Sequence, residues 1–347
     1  MQKPTIKAFF DEYTNTVSYV VSDPKSLSCA IIDSVLGYDI YSAYTSNESI
    51  EKIVKYINNN NLKTQWILET HAHADHLSGA SVLKSKLGGE IAMGCNLPLV
   101  QKAFGKIYNE NSDFKRNGSQ FDRLFDDGDK FQIGTLNVTV MSVPGHTPAC
   151  VAYHISDALF IGDTLFMPDY GSARCDFPGG DAGTLYDSVQ KIYQMPGNTR
   201  LFLCHDYKTK DRNYHKWETT VDEQKGKNIH INSSVDKRSF MEMRTKRDKT
   251  LKLPKLLLPS VQVNMRAGKL PKAEDNGKHY LKNWMKPVVS NFVKYQEDNA
   301  AKKFDYVITA TVSIKNRFLK INKNSLDINN YPILNELSND IPWSNKN

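Results

Sequence analysis

The run Thr70-His71-Ala72-His73-Ala74-Asp75-His76 constrains this chain more than any other stretch, because four groups able to bind a metal fall within six residues. A neutral imidazole offers a nitrogen lone pair and a carboxylate offers oxygen, donors that suit a divalent transition metal. The run follows Trp66-Ile67-Leu68, which reads as a short buried strand, so the donors gather at a strand end. For a single histidine, an inert polar loop would be the simpler account. Three histidines crowded beside an aspartate would repel one another as cations, which argues for a metal instead.

Such a site needs donors from elsewhere, and each arrives where an apolar run stops. The run 138–143 leads into Pro144-Gly145-His146-Thr147, the run 158–161 into Gly162-Asp163-Thr164, and the run 201–204 into His205-Asp206-Tyr207. Taken alone, His146, Asp163 or His205 reads as a turn residue. Loops leaving one edge of a sheet converge on a common crevice, so the set together points to a single site.

This series, an HxHxDH loop with GHT, GDT and late HDY motifs, resembles the ligand series of the metallo-β-lactamase superfamily over roughly residues 5 to 281. The resemblance implies an α/β fold, the αββα sandwich, in which two mixed β-sheets lie face to face with helices outside. Arg174-Cys175-Asp176-Phe177, His205-Asp206-Tyr207, and the stretches 263–268 and 274–277 are similar to the persulfide dioxygenase branch of that superfamily.

Within the resemblance the same residues have two uses. In hydrolytic members such as glyoxalase II, two metals (zinc, iron or manganese) share the set. His71, His73 and His146 would hold one, Asp75, His76 and His205 the other, and Asp163 would bridge, with water activated against a thioester. In persulfide dioxygenases one Fe(II) is held by residues matching His71, His146 and Asp163, which leaves coordination positions open. His73, Asp75, His76 and His205 would then orient the ligands from outside. The expected reaction is oxidation of glutathione persulfide by O₂ to sulfite and glutathione, a step of sulfide oxidation. The hydrolase is the alternative, and a metal-binding scaffold whose tail mediates protein contacts is a third reading.

The loop that carries Arg174 favours the dioxygenase. A glyoxalase II-like hydrolase would devote its C-terminal region to a helical glutathione-binding domain, and the proline-bearing stretch 251–271 does not look like one. By the resemblance, Arg174 and Tyr207 position the substrate, and Cys175 is a candidate contact beside them. A guanidinium at a metal crevice can hold a carboxylate through two parallel hydrogen bonds. The plainer alternatives are a salt bridge from Arg174 to Asp176 or Asp169, and a buried apolar role for Cys175.

A net charge of +7 over 347 residues raises the question of nucleic acid. Between Lys208 and Lys286 the basic residues are scattered among acids and not interleaved with aromatics, so a solvated basic face with a mild attraction for acidic small substrates is expected, without nucleic acid. Five cysteines in no paired spacing do not form a disulfide framework. Neither a signal segment nor a bilayer-length apolar run is visible, which favours a cytoplasmic protein without a membrane partner. Relatives are often dimers, leaving a homodimer open.

Apolar spacing predicts strands over 17–21 and 30–33, helices over 50–57, 80–87 and 184–193, and a hairpin around Gly134 that leads to His146. The prolines of 251–271 predict extended segments and turns. The catalytic domain is expected to span residues 1–281. Residues 282–347, rich in Lys and Asn with one apolar run at 306–312, form a C-terminal extension of unknown role.

Overall fold

The chain divides between Trp284 and Met285 into two units. The computed structural model describes residues 2–283, which belong to the first. The apolar run 306–312 and nearly all of the expected extension therefore lie outside the described residues.

The first half runs β1 (Thr5–Asp11), β2 (Thr16–Ser22), β3 (Ser28–Ile32), β4 (Val35–Tyr38), β5 (Thr45–Ser46), α1 (Glu48–Asn59), β6 (Lys63–Leu68), β7 (Leu77–Ser78), α2 (Ala80–Leu87), β8 (Glu90–Gly94), α3 (Leu97–Ile107) and β9 (Arg123–Phe125). The second runs β10 (Lys130–Ile133), β11 (Leu136–Ser142), β12 (Val151–Ile155), β13 (Ala158–Phe160), α4 (Ala182–Tyr193), β14 (Arg200–Phe202), β15 (Glu218–Thr220), α5 (Val221–Lys227), α6 (Lys237–Asp248) and α7 (Leu257–Asn264). One six-stranded sheet has the order β1-β2-β3-β6-β8-β9, and the other β10-β11-β12-β13-β14-β15. Both are mixed: β3, β6, β8 and β9 are parallel neighbours in the first, and β13 and β14 in the second.

Period-two alternation explains how the layers stack. Tyr153 and Phe160 join Val17, Tyr19, Ile32 and Leu68 in the core between the sheets. Their strand neighbours Ala152 and Leu159 face the other way, onto Leu185, Val189 and Ile192 of α4 and Phe240 of α6. Against the first sheet, α1 buries Ile50, Ile53 and Ile57, spaced to form one helical face. The result is a sandwich of two mixed sheets with helices outside.

The stretch 251–271 departs from its expected form. It contains the eight-residue helix α7, with Pro259 in the first turn. There the proline's missing N–H removes no intrahelical bond, so the ring is tolerated. The helix matters for the site, because its last residue, Asn264, is buried against the histidine loop.

Candidate metal centre

The topology brings the donors to one edge. His71, His73, Asp75 and His76 follow β6, while His146 follows β11, Asp163 follows β13 and His205 follows β14. In the second sheet β11 and β13 are each antiparallel to β12, and β13 is parallel to β14, so the three C-terminal ends share an edge. The start of β2 lies beside the ends of β3 and β6 and is joined to the other sheet by Val17 N donating to the Cys204 carbonyl and by the Thr16–His205 bridge. Two glycines allow the close approach. Gly162 (φ +52°) sits where a Cβ would collide with Thr70, and Gly145 (φ +136°) where it would collide with the Leu185 backbone.

The first group of donors is His71, His146 and Asp163, whose ligand atoms lie within 4.8 Å of one another. The Nε2 atoms of His71 and His146 each stand 3.8 Å from Asp163 Oδ2, too far for a hydrogen bond. The opposite nitrogens are engaged. His146 Nδ1 donates to the Arg174 carbonyl at 2.8 Å. Thr70 Oγ1 gives its hydrogen to Asp33 and lies 3.1 Å from His71 Nδ1, so it accepts from that nitrogen. Both rings therefore present Nε2 lone pairs inward. Burial, with His73 and His146 nearby, holds His71 well below the usual histidine range and keeps it neutral.

The second group is His73, Asp75, His76 and His205. Asp75 lies 2.9 Å from His205 Nε2 and 3.3 Å from His76 Nδ1. Burial would raise the Asp75 carboxyl, but His205 and His76 outweigh it and hold it well below the carboxylate range. His205 Nδ1 donates to the Asn15 carbonyl at 3.1 Å. Burial would lower His205, yet Asp163 and Asp75 keep it up at about 9. His73 Nε2 faces Asp33 at 3.0 Å and Glu69 at 3.2 Å, which raise His73 well above its usual range against burial.

Orphaned atoms test whether a metal fits here. His71 Nε2, His73 Nδ1, Asp75 Oδ2, His76 Nε2, Asp163 Oδ1 and His205 Nε2 are all buried without a hydrogen-bond partner among the described residues. The Asp75–His205 contact is short but out of hydrogen-bonding line. Buried polar atoms are normally paired, so six orphans in one cluster mark the place of a missing partner. Metal–donor bonds of about 2 Å keep two donors within about 4 Å, which the 3.8 Å separations satisfy. Nitrogen and oxygen donors of this kind suit zinc, iron or manganese.

Two supporting residues were not among the site residues expected from the sequence. Asp33, just after β3, accepts from Thr70 N, Thr70 Oγ1 and His73. Asn264 donates to the carbonyls of His73 and His76, both at 2.8 Å, and accepts from Ser78 N. Asp33 could have been found by asking which other strand ends at the same edge. Asn264 is 188 residues from its partner His76; it falls in the stretch 263–268 that resembles the persulfide dioxygenase branch, but that resemblance did not reveal what it touches.

Above the donors opens a crevice of about 370 Å³ whose lining includes Asp75, His146, Asp163, Phe177 and Tyr207. Tyr207 stacks on His205 with ring centroids 5.6 Å apart. Arg174 also lines the crevice, and its guanidinium is engaged within the chain. Nε and Nη2 fork onto Asp176 at 2.6 and 2.9 Å and Nη1 donates to the Lys252 carbonyl, which is the salt bridge the sequence offered as the alternative. Cys175 is not a crevice residue. It is buried in the core beneath α4 and α6, and burial with Asp248 nearby pushes its thiol well above the usual range. The cysteines at 29, 95, 150, 175 and 204 are all free thiols.

The sandwich of mixed sheets, with its histidine–aspartate cluster at one edge, defines an α/β protein with a candidate metal centre. A family model described as the metallo-beta-lactamase superfamily matches residues 14–205, more than half of the chain, and the chain belongs to that superfamily. It is 50% identical over 288 residues to a Burkholderia pseudomallei protein named "Probable metallo-hydrolase", covering 80% of this chain and 98% of that one. It is 49% identical to Glyoxylase B2 of Dictyostelium discoideum, covering 81% and 96%. More distantly it is 29% identical to the mitochondrial persulfide dioxygenase ETHE1 of Bos taurus, covering 76% and 88%. In fold it is similar to the crystal structure of ETHE1 from Myxococcus xanthus, with a TM-score of 0.61 at 24% identity over 76% of this chain and 100% of that one. No helix among the described residues is long and apolar enough to cross a membrane.

Proposed function

We propose that the chain is an iron-dependent persulfide dioxygenase that oxidises glutathione persulfide with O₂ to sulfite and glutathione. The observation that carries this reading is the grouping of His71, His146 and Asp163. Two imidazoles and one carboxylate are the donor set of non-haem Fe(II) oxygenases, which leaves positions open for substrates. Likeness to a protein named persulfide dioxygenase adds support.

In the reaction, GSSH + O₂ + H₂O gives GSH + SO₃²⁻ + 2 H⁺. The S–S bond breaks, the terminal sulfur is oxidised and O₂ is reduced. Bound Fe(II) would supply the redox chemistry. The chain's own residues do the rest: the Arg174 carbonyl and the Thr70 hydroxyl fix which nitrogen of His146 and His71 faces inward. Aromatic rings at Phe166, Phe177 and Tyr207 wall the crevice and displace water from the reacting sulfur. Every named donor lies between His71 and His205, so the proposal places catalysis within residues 1–281.

The hydrolase reading keeps support from a different observation. The second group of donors also converges, and relatives at 49–50% identity are named metallo-hydrolase and glyoxylase. Metal content of anaerobically purified protein, with O₂ uptake on adding glutathione persulfide, separates the two. About one iron per chain, O₂ consumed and sulfite formed is the expected result. Two metals per chain, no O₂ uptake and hydrolysis of a glutathione thioester would replace the dioxygenase with the hydrolase.

A further inference from the structure

We propose that Thr16 is a positioning residue of the metal centre. Oriented by Asp11 through the hydroxyl of Thr14, it fixes the hydrogen of His76 on Nδ1 and so turns the Nε2 lone pair of that ring into the donor cluster.

Thr16 opens β2. Val17, Tyr19 and Val21 of that strand point into the core between the sheets, so Thr16 lies on the opposite face. Its side chain is fully buried, with Oγ1 3.3 Å from His76 Nδ1 and 3.4 Å from His205 Nδ1. The Thr16 and Thr14 hydroxyls are 2.8 Å apart, and Thr14 Oγ1 is 2.9 Å from Asp11 Oδ1. Asp11 is itself held in place. It accepts from Thr14 N at 3.0 Å and, through Oδ2, from Ser49 Oγ of α1 at 2.8 Å.

Counting hydrogens gives this chain a direction. A carboxylate only accepts, and each hydroxyl has one hydrogen to give. Thr14 has two acceptors in reach, and the charged one, Asp11, takes its hydrogen. The Thr14 oxygen is then free to accept from Thr16. Thr16 in turn has no hydrogen left for the imidazoles and presents only lone pairs to them.

The two rings do not need Thr16 equally. His205 Nδ1 already donates to the Asn15 carbonyl at 3.1 Å, which leaves the Thr16 oxygen to His76. Asp75 Oδ1 also stands 3.3 Å from His76 Nδ1 but out of hydrogen-bonding line, so Thr16 is the partner that fixes this nitrogen. Which nitrogen of a neutral imidazole carries the hydrogen is set by the bond its other side makes. His76 Nε2 is one of the orphaned atoms of the cluster, and its lone pair is what the ring offers whether it ligates a metal or supports one. The β1–β2 turn therefore serves two rings at once, His205 through Asn15 and His76 through Thr16.

The test reads the ring directly. Full-length, metal-free protein labelled with ¹⁵N-histidine is examined by NMR at a pH where His76 is neutral, with its resonances assigned from His76→Gln. Wild type should carry the hydrogen on Nδ1. Thr16→Val, close to isosteric but without the hydroxyl, should move it toward Nε2, and Thr16→Ser should keep it on Nδ1. Anaerobic Fe(II) titration should show an affinity about tenfold lower in Thr16→Val and within about twofold of wild type in Thr16→Ser. Thr14→Val, at a half-buried position of the turn, frees the Thr16 hydrogen; it should shift the ring the same way with an affinity loss of about threefold, and it covers the case in which Thr16→Val fails to fold.

Hydrogen on Nε2 in the wild-type protein would overturn the proposal. So would an unmoved ring in Thr16→Val and Thr14→Val, even with weaker iron binding, since Thr16 would then act by packing alone. Equal losses in Thr16→Ser and Thr16→Val would exclude the hydroxyl as the agent. The ring is read without metal or turnover, so failure of the dioxygenase reading leaves this result standing.

Discussion

The two halves of the donor cluster are held in opposite ways. His71, His146 and Asp163 are fixed from outside, by the Thr70 hydroxyl and the Arg174 carbonyl, and leave a gap of 3.8 Å between ring nitrogens and carboxylate. His73, Asp75, His76 and His205 hold one another or are tied to Asp33 and Glu69, with charged groups 2.9–3.3 Å apart. Burying a charge is costly unless it is paired. The second half has charged partners within 3.3 Å, whereas the donors of the first stand 3.8 Å apart, and both halves keep orphaned atoms that a metal would satisfy. Under the proposed dioxygenase reading the first half holds the metal and the second supports it; under the hydrolase reading both hold one.

The largest effect should come from the donors themselves. In Asp163→Ala or His146→Ala, iron should fall from about one per chain to a small fraction, and O₂ uptake with it. His76→Ala should keep its iron and weaken its affinity roughly 10–100-fold, the usual cost of removing a group that supports a ligand. Metal analysis of the purified variants decides the matter. If His76→Ala instead drops the metal count from two to one, the halves are equal partners and the contrast breaks.

A next step tests how the first half is held. Arg244 and Asp248 form a buried pair on α6; Asp248 accepts from Cys175 N at 2.9 Å, and Arg244 donates to the Ser172 carbonyl at 3.0 Å. These bonds pin both sides of Arg174, whose carbonyl holds His146. Asp248→Asn leaves a buried guanidinium poorly paired and should cost about 3–5 kcal/mol of stability. The apolar pair Arg244→Leu/Asp248→Leu should restore much of that stability, since replacing a whole buried pair is often neutral. Iron affinity should nevertheless stay lowered in the double variant, because the loop remains untied. Urea unfolding and iron titration read the two effects apart, and full recovery of iron affinity would make the pair purely structural.

Which parts of this arrangement could be read from sequence follows from range. The strand over 17–21 and the helix over 80–87 are written in local apolar spacing, and the structure has β2 and α2 there. The candidate donors were legible because four fall within six residues of one loop and the rest sit at ends of apolar runs. The residues that fix the donors were not, since Asp33 to His73 spans 40 positions and Asn264 to His76 spans 188. For Arg174 the sequence left two roles open, a substrate clamp and a salt bridge to Asp176 or Asp169. A guanidinium beside a crevice reads as a clamp until the geometry shows Asp176, two residues on, already in its fork. In α7, Pro259 was read as a breaker because sequence alone does not reveal that it falls in a first turn.

The smallest expected effect sharpens the contrast through pH. The ring of His230 accepts from Ser172 N at 2.9 Å, so it supports the same loop that positions His146. Burial first, then Arg244 and Arg247, lower this histidine to about 4. In the unfolded chain it takes up a proton near 6.5. Its folded value is the lower one, so its contribution to stability is complete above about pH 6.5 and is lost as the pH falls toward 4. Allowing for partial solvent screening, the loss should amount to about 1–2 kcal/mol. Comparing unfolding free energies of wild type and His230→Leu between pH 7 and 4 isolates this group, because every other residue is common to both. The variant should start less stable, with Ser172 N unpaired, and then lose less on acidification. Parallel curves would mean that the acid sensitivity belongs to the histidine cluster itself, and that the loop behind the first half is no weaker than the paired network behind the second.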